Sequence, residues 1–301
     1  DLIDIIKKTR DEKKSKVADI IPRIEGTIRK NREAGKIGLT IGLGFLTKVI
    51  RAYIPGHLWI LGGWTGLGKT SMATELIKRI FEFNSTENPK VLVVSTEMTD
   101  ESNILKLIGS YCGISPLAIL DPTNQSPEKR QRIGQAMIKI ADYNLSVVDN
   151  LYTWDDIYLK CKKEKLVNGL DVVFIDFIQN MLGPGTIYER MSTVAPMMTN
   201  MAKELKCTVV ALSQLSNEAA AGGDLLKFKG AGEIAAACDL GIILERGKRK
   251  DGTLNRDINV KIKKGRWGGG GHHLCRFNST YTSIDVVPDG EKEEDIFEKA
   301  N

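Results

Sequence analysis

The sequence has 301 residues, of which 42% are hydrophobic and 27% are charged, a balance typical of a soluble globular chain with one large α/β domain and an extension. Its apolar runs, such as 172–175 and 209–212, are far shorter than the ~20 residues that a membrane helix needs. The formal net charge is +5, and the five scattered cysteines and three histidines form no CxxC or HExxH pattern, which argues against a disulfide framework or a zinc hydrolase.

Charge is distributed unevenly along the chain. Residues 1–37 carry a net +4, residues 245–276 carry ten basic and three acidic residues for a net +7, and residues 289–301 carry a net −4. The +7 segment predicts either a surface for a polyanion or an ordinary solvated face. We divide the chain into a linker region at 1–37, a main domain at 38–288 and an acidic, flexible tail at 289–301.

An amphipathic helix is predicted at 18–33. Apolar residues recur there at three- and four-residue spacing, and Pro22 suits the first turn of such a helix. The glycine-rich stretch that follows separates this helix from the main domain. Its apolar face therefore has no local partner, which points to docking on another copy of the chain.

From residue 57 onward, short apolar strands alternate with segments of helical length. We predict strands at 58–61, 91–95, 145–148, 171–175 and 208–212, with helices at 69–83, 101–112, 127–142, 155–166 and 189–206. This alternation is typical of a mostly parallel central sheet with helices on both faces. Beyond residue 240 a strand–turn–strand rhythm, at 242–244, 258–262, 274–277 and 282–287, predicts antiparallel strands at one edge of that sheet.

A complete GxxxxGK[ST] motif follows the first apolar strand and opens a helix. Its glycines allow backbone N–H groups to approach phosphate oxygens, the lysine neutralises the β- and γ-phosphates, and the threonine hydroxyl can bind Mg²⁺. The predicted nucleotide-binding residues are Gly63, Trp64, Thr65, Gly66, Leu67, Gly68, Lys69, Thr70 and Ser71.

Three further polar residues follow strands of the predicted sheet. Asp176 ends an apolar strand in the Walker B pattern and is the predicted second Mg²⁺ residue beside Thr70. Glu97 follows the strand at 91–95 and is the candidate base that deprotonates water, while Gln214 is a candidate sensor of the γ-phosphate. Because ligands lie at the carboxyl ends of parallel strands, we expect one shared site.

Two loops and one basic cluster have the character of anion-binding segments. The segment after Gln214 combines glycines with lysines, and Arg190 lies near a loop that follows Asp176; either segment could contact a phosphate chain or be an ordinary surface loop. The cluster at 261–267 contains Lys264 and Arg266 at a strand end, as a solvated hairpin tip or as a phosphate-reaching arginine.

Taken together, these motifs resemble the RecA-like ATPase domain of DnaB-type replicative helicases. The resemblance covers about 18–287 and rests on the segments at 37–42, 63–70, 95–98, 175–179, 212–215 and 264–268. It implies a RecA-like P-loop fold and a homohexameric ring that binds ATP and Mg²⁺ between subunits. It further implies 5′-to-3′ translocation on single-stranded DNA, duplex unwinding, primase and a helicase loader as partners, and the cytoplasm of a bacterial or phage-infected cell, away from membranes.

The resemblance also implies roles for individual residues. Glu97 would be the catalytic glutamate, Lys106 would lie near the nucleotide, and Lys264 with Arg266 would form a finger. Arg266 lies nearly 200 residues after the P-loop, so we predict that it acts on ATP held by the adjacent subunit. The predicted DNA contacts are Lys229, Gly230, Gly232 and Arg190.

Two other functions compete with the helicase. A RecA- or RadA-like recombinase would form filaments on single-stranded DNA, whereas the linker helix and finger favour a ring. A DNA-binding or loader module with a degenerate ATPase is disfavoured by the intact set of Lys69, Thr70, Glu97 and Asp176.

Overall fold

The structure is a computed structural model that describes residues 16–124, 126–214, 232–247, 255–266, 268–278, 280 and 282–287. These residues fall into two units, divided after Gly38. In the described part of the chain, no helix has the length and apolar character required to cross a bilayer.

The first unit contains the helix α1 (Val17–Ala34). Gly35 ends it in the left-handed conformation, with φ of 67°, and donates its N–H to the Arg32 carbonyl. Ile21, Ile24 and Ile28 form an exposed apolar stripe along it. The placement of Pro22 in the first turn was wrong: the helix begins at Val17, so Pro22 lies in its interior, where it cannot donate the hydrogen bond that its position would normally make.

The second unit alternates strands and helices from β3 to β7 and ends in mostly antiparallel strands. In chain order its elements are β1 (Leu39–Thr40), α2 (Gly44–Ile50), β2 (Ala52–Tyr53), β3 (Leu58–Gly63), α3 (Lys69–Phe83), β4 (Val91–Ser95), α4 (Asp100–Cys112), α5 (Pro116–Leu120), α6 (Pro127–Ala141), β5 (Leu145–Val148), α7 (Trp154–Val167), β6 (Val172–Asp176), α8 (Ile187–Leu205), β7 (Thr208–Gln214), α9 (Gly232–Ala237), β8 (Leu240–Glu245), β9 (Asp257–Gly265), β10 (Gly271–Phe277) and β11 (Ile284–Val286). Short 3₁₀ turns lie at Pro122–Asn124 and Ile178–Asn180.

Nine of these strands form one sheet with the order β11-β10-β9-β8-β3-β7-β6-β4-β5. The six strands from β8 to β5 in that order run parallel, whereas β9, β10 and β11 pair antiparallel at one edge. The central strands are buried on both faces, so each face packs against its own apolar cluster of helices. The predicted α/β class, with a mostly parallel sheet and antiparallel strands at one edge, is confirmed.

The elements missing from the sequence prediction are short. The two-residue strands β1 and β2 pair with each other, and α2, α5 and α9 span seven, five and six residues. Such segments contain less than two turns or two alternations, so their apolar residues define no periodicity. They reflect tertiary packing: α2 buries Phe45, Leu46, Val49 and Ile50 against the sheet cluster.

Candidate functional site

The carboxyl ends of β3, β4, β6 and β7 lie along the same edge of the sheet. Gly63 of β3 pairs with Gln214 of β7, and Ser95 of β4 pairs with Asp176 of β6. The P-loop leaves β3 at this edge, and Glu97 follows β4 two residues after Ser95. The parallel arrangement therefore brings together polar residues that are far apart in sequence.

The P-loop is held in a conformation that requires glycine at two positions. Gly66 and Gly68 have φ of 78° and 96°. Lys69 begins α3 and is buried, and its Nζ donates to the Trp64 carbonyl at 3.0 Å, closing the loop on itself. Burial lowers the pKa of Lys69, while the charges of Asp176 and Glu97 raise it, which places all three groups in one electrostatic neighbourhood.

Gly68 also lies against an aromatic ring from the carboxyl-terminal part of the chain. A Cβ at Gly68 would overlap Cζ of Phe277, the last residue of β10, and the Arg246 guanidinium lies 4.9 Å from the centre of the same ring. Phe277 is buried and packs against the loop at Gly68. The phosphate-binding loop thus contacts a residue from the carboxyl-terminal part of the second unit.

We predict that Gly68→Ala destabilises the phosphate-binding loop more than Gly66→Ala does. Both positions impose a positive φ, a cost of about 1–2 kcal/mol for an L-residue, but a Cβ at Gly66 meets open space whereas one at Gly68 overlaps Phe277. Titration with a fluorescent ATP analogue measures the effect. We expect a loss of affinity at Gly68 that is about tenfold greater than at Gly66, and equal losses would contradict a role for the Phe277 contact.

Thr70 and Asp176, the predicted Mg²⁺ residues, are in direct contact. The Thr70 hydroxyl donates to Asp176 Oδ2 at 2.8 Å, while Asp176 Oδ1 is buried with no hydrogen-bond partner among the described residues. Burial raises the pKa of Asp176 and the Thr70 hydrogen bond lowers it. A buried carboxylate oxygen without a partner next to a threonine hydroxyl suits a divalent cation with oxygen ligands, so these residues fit Mg²⁺.

The strand ends that carry Glu97 and Asp176 are joined by Thr96. Its backbone N–H donates to the Asp176 carbonyl at 2.7 Å, and its hydroxyl accepts from the Phe177 N–H at 3.1 Å. Asn180 Nδ2 donates to the Thr96 carbonyl at 3.2 Å from the other side. These bonds fix the backbone on which Glu97 stands, while the Glu97 side chain remains exposed to solvent.

The backbone of the half-buried Gln214 is held by the buried Gln179. The Gln214 N–H donates to Gln179 Oε1 at 3.0 Å, and Gln179 Nε2 donates to the Ser213 hydroxyl at 2.7 Å. The turn at Ile178–Asn180 therefore contacts both the end of β4 and β7, through Asn180 and Gln179 respectively. It connects the residue before Glu97 to the predicted sensor.

Lys106 projects from α4 toward the same site. Its Nζ lies 3.2 Å from Met98 Sδ, and burial lowers its pKa while the charges of Asp176 and Glu97 raise it. Five predicted residues, Lys69, Thr70, Glu97, Lys106 and Asp176, thus belong to one polar cluster.

The predicted finger lies at the opposite end of the parallel strands, near the start of β3. Arg266 follows β9, whose residue Gly265 pairs with Leu240 of β8, which in turn pairs with Trp59 near the start of β3. Arg266 Nη1 forms an ion pair with Asp239 Oδ1 at 3.0 Å, and Lys264 Nζ donates to the Ala236 carbonyl at the end of α9. The length of β3, about 16 Å at ~3.3 Å per residue, separates Arg266 from the P-loop of its own chain.

The predicted DNA contacts are only partly described. Lys229 and Gly230 lie outside the described residues, and Gly232 begins α9. Arg190, in the first turns of α8, donates to the Gly185 carbonyl at 2.6 Å and so closes the loop after β6. Elsewhere in the +7 segment, Lys261 pairs with Glu245 and Arg276 with Asp257, so two of its ten basic residues are paired within the sheet.

Four residues of the site, Thr96, Gln179, Arg246 and Phe277, have no predicted role in the sequence analysis. Thr96 lies next to Glu97, and Gln179 lies three residues after Asp176. Their position inside these motif segments is the only feature of the sequence that indicates a part in the site. Phe277 and Arg246 carry no local signal, because their position beside Gly68 depends on the pairing of β8, β9 and β10.

Comparison with known proteins places these features in a family. The sequence profile described as "DnaB-like helicase C terminal domain" matches residues 38–285. Replicative DNA helicase DnaB of Haemophilus influenzae is 26% identical over 286 residues, covering 89% of this chain and 60% of that protein, and DnaB of Geobacillus stearothermophilus is 24% identical over 265 residues, covering 84% and 58%. The chain therefore spans about three fifths of the length of these relatives.

Solved structures show the same fold. One of them, described as an ATPase domain, superposes with a TM-score of 0.77 at 22% identity, covering 89% of this chain and 98% of that one. A DnaB-like replicative helicase, described together with its interactions with primase, superposes with a TM-score of 0.74 at 21% identity, covering 95% and 76%. Both likenesses support the RecA-like fold.

Proposed function

Because the chain belongs to the DnaB-like helicase C-terminal domain family, we propose that it is the ATP-hydrolysing motor of a replicative DNA helicase. The observation that carries this proposal is the cluster of Lys69, Thr70, Asp176 and Glu97 at the carboxyl ends of β3, β4 and β6. A phosphate cradle, a pair of residues suited to a divalent cation and an exposed carboxylate within one site are the parts that phosphoryl transfer to water requires.

The proposed hydrolysis assigns one task to each side chain. The P-loop N–H groups and the Lys69 ammonium bind the β- and γ-phosphates of ATP. Thr70 and Asp176 would hold Mg²⁺, which neutralises charge on the phosphate oxygens. Glu97 accepts a proton from a water molecule as its oxygen bonds to the γ-phosphorus and the bond to the ADP oxygen breaks, giving ADP and inorganic phosphate.

Gln214 and Lys106 would connect this reaction to its surroundings. Gln214 hydrogen-bonds the γ-phosphate and leads directly into residues 215–231, the segment that contains Lys229 and Gly230. Lys106 adds positive charge beside the phosphates. Loss of the γ-phosphate would then be communicated through Gln214 and Gln179 to the loops after β7 and β6, which we propose bind the backbone of single-stranded DNA.

The proposed site is completed by a neighbouring copy. Arg266 lies at the edge of the sheet opposite its own P-loop, so we propose that it contacts the γ-phosphate of ATP bound by the adjacent subunit. A head-to-tail ring of six copies, with the exposed stripe of α1 docked on a neighbour, would close every site. Its substrates would be ATP and single-stranded DNA, along which the ring would move from 5′ to 3′. Its partners would be primase and a helicase loader.

Unwinding of a forked DNA tests the proposal. We expect ATP- and Mg²⁺-dependent strand displacement from a fork with a 5′ single-stranded tail and little from a matched substrate with only a 3′ tail. Lys69→Ala serves as the control that removes the phosphate-binding ammonium. Displacement that is independent of Lys69, or DNA-dependent hydrolysis on extended filaments without displacement, would contradict the helicase assignment.

A further inference from the structure

The ion pair between Arg266 and Asp239 has no part in the function proposed above. Asp239 lies between α9 and β8, and its side chain is only 4% exposed, whereas the Arg266 side chain is 42% exposed. A buried carboxylate thus holds one end of the guanidinium of an arginine whose side chain is partly exposed.

Asp239 is itself fixed to β3 by two hydrogen bonds. Its Oδ2 accepts the Leu58 N–H at 2.8 Å, and its own N–H donates to the Leu58 carbonyl at 2.7 Å. These bonds fix the carboxylate at the amino ends of the parallel strands, because both the Asp239 backbone and one of its carboxylate oxygens are hydrogen-bonded to the first residue of β3.

Arg266 is attached to this anchor at two points. Its backbone N–H donates to the Asp239 carbonyl at 2.8 Å, and its Nη1 lies 3.0 Å from Asp239 Oδ1. Since the Leu58 N–H occupies Oδ2, the carboxylate binds the guanidinium through one oxygen. Within the described part of the chain, the other nitrogen donors of the fork therefore remain available for a further anion.

The neighbouring imidazole supports the same electrostatic description. His57 directly precedes β3, and burial lowers its pKa, with the positive charge of Arg266 acting in the same direction and the negative charge of Asp239 opposing both. His57 thus belongs to the same electrostatic cluster as Arg266 and Asp239.

We propose that Asp239 is a positioning residue that holds the Arg266 guanidinium in a fixed place, from which it acts on the γ-phosphate bound by an adjacent subunit. This inference rests on the proposed action of Arg266 in trans. An arginine free in solution samples many rotamers, and fixing it before the neighbour arrives removes much of the rotamer entropy from the cost of the encounter. Asp239 contacts neither ATP nor water in this scheme and acts only through Arg266.

The test uses Asp239→Asn, which keeps an oxygen for the Leu58 N–H but loses the charge that orients Arg266. We expect the kcat for ATP hydrolysis to fall about 10- to 100-fold, the loss typical of a misplaced catalytic group, with unchanged binding of a fluorescent ATP analogue at the P-loop. In the double variant with Arg266→Ala, Asp239→Asn should cause no further loss, because its effect passes through the arginine.

Mixed assemblies locate the defect. Asp239→Asn mixed with Lys69→Ala should regain ATPase activity, because some interfaces pair an intact P-loop with an intact, positioned finger. Asp239→Asn mixed with Arg266→Ala should not, since both carry the defect on the finger side. Recovery in the second mixture, an additional loss in the double variant or an unchanged kcat would overturn the role of Asp239.

Two further variants keep the result interpretable. Asp257→Asn removes another largely buried Asp–Arg pair, that with Arg276, and should lower the melting temperature without the mixing pattern. If Asp239→Asn does not fold, Asp239→Glu, which retains the charge but displaces the carboxylate, is mixed in the same way with the same expected pattern. Failure of Arg266→Ala to recover with Lys69→Ala would instead reject action in trans itself, independently of Asp239.

Discussion

Replacing Arg266 with alanine should lower the ATP turnover of the assembled protein by about 10³-fold or more and leave nucleotide binding at the P-loop nearly intact. In the proposed mechanism the guanidinium would stabilise negative charge that develops on the transferred phosphoryl group, so its loss would act on the transition state rather than on bound ATP. Lys263→Ala, which removes an exposed cation three residues earlier, near the end of β9, is the matched control and should retain turnover. Steady-state phosphate release and equilibrium nucleotide titration measure the two quantities.

A mixing experiment distinguishes action in trans from action within one chain. Arg266→Ala and Lys69→Ala are each expected to be inactive alone, whereas mixed rings of the proposed kind would contain interfaces with an intact P-loop facing an intact finger. ATPase activity should therefore reappear on mixing. Its absence, with subunit exchange shown by labelled chains, would mean that Arg266 serves its own subunit or none.

Glu97→Gln should reduce hydrolysis by about 10²- to 10⁴-fold while ATP binding persists. The amide retains the shape and hydrogen-bonding capacity of the side chain but cannot accept the proton of the attacking water. The substitution should change the stability of the fold little, because the Glu97 side chain is exposed and the backbone is held through hydrogen bonds of Thr96. Rapid-quench measurement of a single turnover tests the chemical step directly.

Glu101→Gln provides the comparison for Glu97→Gln. Glu101 is exposed and lies four residues later, in the first turn of α4, so its replacement changes the local charge by the same amount. We expect nearly unchanged turnover for this variant. Wild-type hydrolysis in Glu97→Gln, or equal losses in both variants, would require a different base.

The parallel part of the fold was predictable because its strands are continuous apolar runs bounded by helices of ordinary length. The predicted strand at 145–148 and helix at 69–83 coincide with β5 and α3. Local patterns did not predict α2 or the β1–β2 pair, whose stability depends on tertiary contacts. Pro22 was misplaced because a surface helix can tolerate an interior proline when the carbonyl it leaves unpaired can reach water.

The candidate site was predictable as a set of residue types at strand ends, since parallel strands place those ends together. The sequence did not predict the contacts that hold these residues in place. The bridge from Asn180 to Thr96, the clamp of Gln179 on Gln214 and the packing of Phe277 under Gly68 each join elements whose separation in the chain exceeds any local motif. The Arg266–Asp239 pair likewise depends on the register of β8 with β9.

The position of cradle and finger at opposite ends of β3 has a consequence for how activity grows with assembly. In the proposed head-to-tail ring, each copy would present its cradle to one neighbour and its finger to the other. An open row of n copies would contain n − 1 complete sites, whereas a closed ring of the same copies would contain n. The contact that closes the ring would thus complete one further site. A variant subunit within the ring would inactivate the sites at both of its interfaces only if it lacked both the cradle and the finger.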